Sequence, residues 1–189
     1  MPEDTVAMAR WLLGRTVVRT TPEGRTSGRI VETEAYLVGD ASCHGFRGPT
    51  PRNRSLFLER GHAYVYFIYG TWFALNVSGG AHGEGTGVLL RALEPLDGIE
   101  LMRRRRREGV AEHELARGPG CLATAFAIDR SLDGTDLCTP GPLYLAPATR
   151  PLGAIGESVR IGITKEAHRV LRFYERGNPC VSGPKRLRA

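Results

Sequence analysis

The stretch Arg29-Ile30-Val31-Glu32-Thr33-Glu34-Ala35-Tyr36 decides how this chain is read. Its β-branched Ile, Val and Thr favour extended backbone, and the pattern predicts a strand over residues 27–37. Side chains alternate across a strand, so Ile30, Glu32, Glu34 and Tyr36 are expected on one face. Two carboxylates in an apolar strand are costly to bury without a partner or a task. Most strand glutamates meet that cost with a solvated face or an arginine ion pair. Here an aromatic shares the acidic face, and a glycine-containing loop follows with His44. A carboxylate, a tyrosine and a histidine drawn together make a pocket able to activate water and hold a flat ring.

Upstream, Asp4 is a good N-cap for a helix running to residue 13 with Gly14 as its stop. Val6, Ala9, Leu12 and Leu13 form its expected inward stripe. A strand over residues 16–20 leads into the turn-forming Pro22-Glu23-Gly24. Downstream, residues 51–59 read as a short helix, and residues 63–68 and 73–77 as a hairpin turning at Tyr69-Gly70-Thr71-Trp72. A strand is predicted over residues 86–93 and helices over 96–107 and 118–128, with short strands near 142–145, 159–163 and 171–174. Strands without regular intervening helices predict an α+β fold: one domain over residues 1–189, with a curved, largely antiparallel β-sheet and surrounding helices.

The hairpin carries a second cluster, Tyr64-Val65-Tyr66-Phe67-Ile68-Tyr69-Gly70. Tyr66 suits ordinary core packing as well as a pocket wall. At the tip, Tyr69 either folds back over the hairpin or wedges into a base stack. Arg47, Arg52 and Arg54 follow the acidic strand, where side chains can clamp phosphates without reading sequence.

The formal charge is +6, and all but two of the 26 basic residues are arginine, the exceptions being Lys165 and Lys185. Guanidinium is a planar, two-pronged phosphate donor, so this balance suits a polyanion partner as well as it suits compositional bias. The run Arg103 to Arg107 reads as a solvated helix end, favoured by the helix dipole. Cys43, Cys121, Cys138 and Cys180 form no CxxC pair and are expected to be reduced thiols, with no metal site. The first residues lack a basic-then-apolar pattern, and the longest apolar run, residues 63–69, is far short of a membrane span. A cytoplasmic protein without a membrane partner is expected, nucleoid-associated if bacterial.

Several motifs in order resemble the 3-methyladenine (alkyladenine) DNA glycosylase family. They are Val31-Glu32-Thr33-Glu34-Ala35-Tyr36-Leu37, His44, Thr50-Pro51-Arg52-Asn53-Arg54, the Tyr64 to Gly70 cluster, Asn76, Val88-Leu89-Leu90-Arg91-Ala92-Leu93-Glu94-Pro95, Arg117-Gly118-Pro119 and Leu171-Arg172-Phe173-Tyr174. The resemblance spans nearly the whole chain. It implies Glu34 as general base for the hydrolytic water, and Tyr36, His44 and Tyr66 as walls around a flipped base. It implies that Tyr69 fills the hole left in the duplex and that Asn76 disfavours normal guanine. Arg91 is implied as a pocket or phosphate-positioning residue, and Arg52 and Arg54 are the expected DNA contacts. The implied partner is double-stranded DNA containing damaged purines; a monomer and no cofactor are expected. The chain departs from the family pattern in a Tyr36–His44 stretch one residue shorter, and in Thr71, Cys121 and Cys180.

The chemistry is consistent with that resemblance. Glycosidic bonds break through an oxocarbenium-like sugar. An alkylated purine is already a cationic leaving group, so one carboxylate can suffice, whereas neutral lesions such as hypoxanthine need protonation too. Extruding the base costs a few kcal/mol, which stacking at roughly 1–3 kcal/mol per base can offset. A silent DNA-binding module would have no reason to place Glu34 in a polyanion site. A small-substrate glycosidase would need opposed carboxylates, yet Glu32 and Glu34 lie about 7 Å apart on one strand face.

Replacing Tyr69 by Ala is expected to weaken base extrusion more than general DNA affinity. Equal 2-aminopurine fluorescence from wild type and Tyr69→Ala on DNA counts against the wedge.

Overall fold

The computed structural model describes residues 1–68 and 70–184. Helix α1 spans Thr5–Leu12, and the Asp4 side chain accepts from the Ala7 amide at 2.7 Å, as an N-cap does. Strands β1 (Thr16–Thr21) and β2 (Gly24–Tyr36) follow. The hairpin of β3 (Ala63–Ile68) and β4 (Trp72–Ser78) comes next, then β5 (Gly87–Asp97). Helices α2 (Ile99–Arg105) and α3 (Pro119–Ala125) precede the short strands β6 (Leu143–Ala146), β7 (Ile155–Ser158) and β8 (Arg172–Glu175).

All pairings are antiparallel, in the order β3-β4-β5-β2-β1-β6, and the expected α+β class with a curled sheet is what forms. Strand β2 is the hub. Along one edge it pairs with β5; along the other its first half pairs with β1 and its second half with β8. This fork sends the sheet in two directions from one strand. The main core lies between the sheet and the helices and contains Met8, Leu12, Ile30, Leu75, Leu90 and Phe126.

Strict alternation fails within β2. The register against β5 shifts between Ile30 and Glu32 and again between Glu32 and Thr33, the signature of a bulge. Ile30 therefore joins the main core with Met8 and Ala9, whereas Val31 packs in a second cluster with Ala92 and Tyr174. Glu32, Glu34 and Tyr36 still share a side, but Ile30 does not share it.

Several boundaries also differ from the sequence reading. The helix predicted over residues 96–107 begins only at Ile99, because β5 continues to Asp97 opposite Ser27 and Gly98 breaks the strand at φ 73°. Residues 51–59 give only a 3-10 turn at Arg54–Phe57. The strand expected near 159–163 falls instead at β7, and residues 159–163 form a loop. In α1, Thr5 and Met8 are buried where Val6 is only half-buried.

The β2 hub contains a buried ion pair. Arg29 has no exposed surface and donates to both oxygens of Glu175, at 2.5 and 3.0 Å. Burial pushes the Glu175 carboxyl up, but Arg29, the Gly153 amide, Asn178 and Arg150 outweigh it and hold the pKa down at about 2. A depressed carboxylate contributes stability above its unfolded pKa and loses it as pH falls through the folded value. The window here runs from about 4.5 down to about 2.

Glu175→Gln, which leaves the buried Arg29 charge only its longer contact with Glu94 at 3.4 Å, is expected to cost about 3 kcal/mol at neutral pH. Urea unfolding at pH 7 and pH 3 checks this: the gap between wild type and variant should narrow at pH 3. A constant gap contradicts the account.

Candidate active site

A cavity of about 600 Å³ opens where the C-terminal half of β2, the β3–β4 hairpin and the start of β5 meet. Its lining includes Tyr36, His44, Tyr66, Asn76 and Arg91, so five of the residues named from sequence converge on one space. Arg52 also lines it. Arg54 is exposed but lies outside the lining. Tyr69 lies outside the described residues.

Two aromatic groups form the walls. The His44 and Tyr66 rings lie 4.4 Å apart at 62°, and Tyr64 stands 5.3 Å from Tyr66. The Tyr64 hydroxyl and His44 Nδ1 are hydrogen-bonded at 2.8 Å, which fixes the imidazole plane. The loop shorter than the family pattern still delivers His44 to the wall. Although His44 keeps some solvent exposure, burial of its ring and the nearby Arg52 charge lower its pKa, favouring neutral imidazole. Asn76 donates from its side-chain amide to the Tyr64 carbonyl at 3.2 Å.

Tyr36 is held from two sides. Its hydroxyl donates to Glu34 Oε2 at 2.9 Å. The Arg160 guanidinium carbon lies 4.6 Å from its ring centroid. Arg160 is itself buried against Asp40 and donates to the Ala35 carbonyl at 3.0 Å. The Asp40 carboxylate also accepts from Ser42, so one ion pair ties Tyr36 to the loop that carries His44.

Glu34 has no exposed surface and stands behind the wall rather than in it. Oε1 accepts from the Ile161 amide at 2.8 Å and lies 3.2 Å from Arg91 Nη1. Tyr36, Arg91 and Ile161 all line the cavity, so the carboxyl is one side chain removed from it. Burial raises its pKa, and the neighbouring Glu32 adds to this against the pull of Arg91, the Ile161 amide and Tyr36. For Glu32 the balance is reversed: burial opposes ionisation, but Arg91 and Arg172 win and the pKa is lowered.

The sequence reading missed Tyr64, Trp72, Cys121 and the 161–163 backbone as lining groups. Tyr64 was legible as part of the aromatic cluster. Ile161 acts through a backbone amide, which no residue type advertises. Cys43 also lines the cavity, with its thiol pushed up to about 11 by burial. Cys180 belongs to the second cluster, its thiol pushed up to about 12 by burial.

The sequence that builds this cavity has known relatives. A model of the methylpurine-DNA glycosylase (MPG) family matches residues 1–179. The chain belongs to the methylpurine-DNA glycosylase family. A protein of Mesorhizobium japonicum with the provisional name 3-methyladenine DNA glycosylase is 66% identical over 99% of this chain and 89% of its own length. One from Paraburkholderia phytofirmans, with the same provisional name, is 49% identical over 99% and 87%. The human DNA-3-methyladenine glycosylase is 43% identical over 95% of this chain and 65% of its own length. No helix among the described residues is long and apolar enough to cross a membrane.

Within this family frame the cavity walls should carry recognition. Tyr66→Ala is expected to weaken binding of a duplex with an extruded lesion by roughly 5- to 150-fold, the worth of one stacked base at about 1–3 kcal/mol. Fluorescence titration against lesion-bearing and undamaged duplexes checks it, and an equal loss on both contradicts a stacking role.

Proposed function

We propose that this chain is a monofunctional DNA glycosylase that hydrolyses the N-glycosidic bond of alkylated or deaminated purines flipped from duplex DNA. The family membership carries the reaction class. The observation that carries the mechanism is the position of Glu34, buried directly behind a cavity with ring walls and bonded to three groups that line it.

In this reading the extruded purine lies against Tyr36, Tyr66 and His44, and Asn76 meets its edge. A cationic lesion gains further from the ring faces. Arg52 at the rim holds phosphate, and Tyr69 occupies the vacated duplex position. Glu34 takes a proton from water, and the water oxygen attacks the anomeric carbon as the bond to the base breaks. A carboxylate offers about four lone-pair sites. The Ile161 amide, Arg91 and Tyr36 take three; the fourth is shut off from solvent in this arrangement, so the Tyr36 side chain must shift for the attacking water to reach it. A raised pKa makes Glu34 a stronger base than an ordinary glutamate, and the anionic form favours the developing sugar cation.

The paired-carboxylate reading of a small-substrate glycosidase fits poorly. Glu32 and Glu34 bind the same Arg91 guanidinium, so they approach from one side and do not flank a bond.

A strand-cleaving glycosylase usually needs an amine to form a Schiff base. Lys165 is exposed and follows Ile163 of the cavity lining by two residues, nearer than its sequence distance from the motifs suggested. Lys185 lies outside the described residues. Borohydride trapping with lesion DNA is expected to give no covalent adduct, and an adduct rejects the monofunctional reading.

Glu34→Gln should retain DNA binding and lose base release by about 10²–10⁴-fold. Near-normal turnover removes Glu34 from its role. Since the base must be ionised and its pKa is raised, wild-type release of 7-methylguanine should fall on acidification at a pH above the ordinary 4.5. A single-turnover pH profile reads that limb.

A further inference from the structure

Glu32 has no surface, does not line this cavity and has no part in the reaction as proposed. It is nevertheless held by three donors, two of them arginines. Oε1 accepts from Arg91 Nε at 3.0 Å and Arg172 Nε at 2.6 Å, and Oε2 accepts from the Ser182 amide at 2.6 Å. Arg91 is thereby divided. Its Nε faces Glu32, its Nη1 faces Glu34 at 3.2 Å, and its Nη2 reaches Ser182 Oγ at 3.4 Å.

A guanidinium binds a carboxylate best as a parallel fork, two N–H groups to two oxygens. The edge that could fork onto Glu34 is Nη1–Nη2; with Glu32 holding Nε and Ser182 Oγ at Nη2, the guanidinium is turned so that only Nη1 reaches Glu34. We propose that Glu32 is a positioning residue for base release: by holding the Nε edge of Arg91 it limits that guanidinium to a single contact with Glu34 and keeps Glu34 basic. This rests on the role proposed above for Glu34.

The other charged and titratable groups around Glu34 do not substitute for this device. On its own strand are Glu32 and Tyr36. From β5 comes Arg91, and from β8 comes Arg172, whose Cα is the register partner of Glu34 but whose guanidinium is spent on Glu32, Ser158 and Ser182. From the 159–163 loop come the Ile161 amide and Arg160, the latter committed to Asp40 and the Tyr36 ring. Across the cavity stand neutral His44, Tyr64 and Tyr66, with Cys43 beside them. Among the described residues, only Arg91 is both cationic and in contact with Glu34. What restrains Arg91 therefore sets the basicity of Glu34. Glu32 acts in two ways of the same sign: its charge disfavours a second anion, and its grip on Nε fixes the guanidinium in the orientation that gives Glu34 only Nη1.

The test is the pH profile of single-turnover 7-methylguanine release, a cationic leaving group that needs no general acid. In Glu32→Gln the competing anion is gone and the hold on Nε is weakened, so Arg91 turns further onto Glu34. The acid limb should move to lower pH, and the plateau rate should fall by roughly threefold to tenfold as the base weakens. A purely structural role would lower the rate at every pH and leave the limb in place, which overturns the proposal; so does a limb that moves up. If Glu32→Gln does not fold, Glu32→Gln/Arg172→Met removes the stranded cation with its partner and is read the same way. The wild-type chain supplies a third measurement. With ¹³C-labelled glutamate, the Glu34 carboxyl should protonate before that of Glu32 as pH falls, and the reverse order overturns the proposal. An active Glu34→Gln defeats the base reading itself. An inactive Glu34→Gln beside an unmoved limb in Glu32→Gln defeats only the role of Glu32.

Discussion

Burying a carboxylate in a protein interior is tolerable only if cations and amides replace its water, and β2 buries two of them within three residues. Everything around the site follows from meeting that demand. Arg91 arrives from β5, Arg172 from β8 and the Ser182 amide from the segment beyond it. Each donor comes from an element that must pack in one register to reach its acceptor. The bulge at Val31 and Glu32 allows this, because it turns the acidic side chains toward Arg91 while leaving Ile30 in the hydrocarbon core. A one-residue slip would exchange those environments.

The two ion-pair systems on β2 divide the work. Arg29 and Glu175 lock the strand to β8 on the side away from the cavity lining, with Arg150 and Glu94 closing the network. Glu32, Arg91 and Arg172 form the other system. Tyr36 and Arg160 extend it to the loop that carries His44. The walls are thus set before any base arrives, and binding energy need not be spent on arranging them.

Much of this was legible in the sequence. The run from Arg29 to Tyr36 announced a strand by its β-branched residues, and the tight Gly70 region announced the hairpin. Tyr36 and His44 stood out by residue type and placement, whereas the assignment of Tyr66, Asn76 and Arg91 to a pocket came through the family resemblance; all five line the cavity. What stayed hidden depends on pairing. The bulge arises from how β5 meets β2, so period-2 reading put Ile30 on the wrong side. Leu96 looked helical but continues a strand that is stabilised by its partner. The Ile161 amide has no side-chain signature, and the burial of Glu34 behind Tyr36 needed coordinates.

The separation in sequence between Glu32 and its amide partner is 150 residues. A ribosome delivers the acidic strand well before Arg172 and Ser182. Until the last of these emerges, the nascent β2 holds anions that cannot be dehydrated, so its acidic half stays wet while the hairpin and α1 are free to collapse. Closure of the cavity is thereby deferred until Ser182 has emerged, and a chain that lost the segment after β7 would keep much of its hydrocarbon core yet never dry its acids.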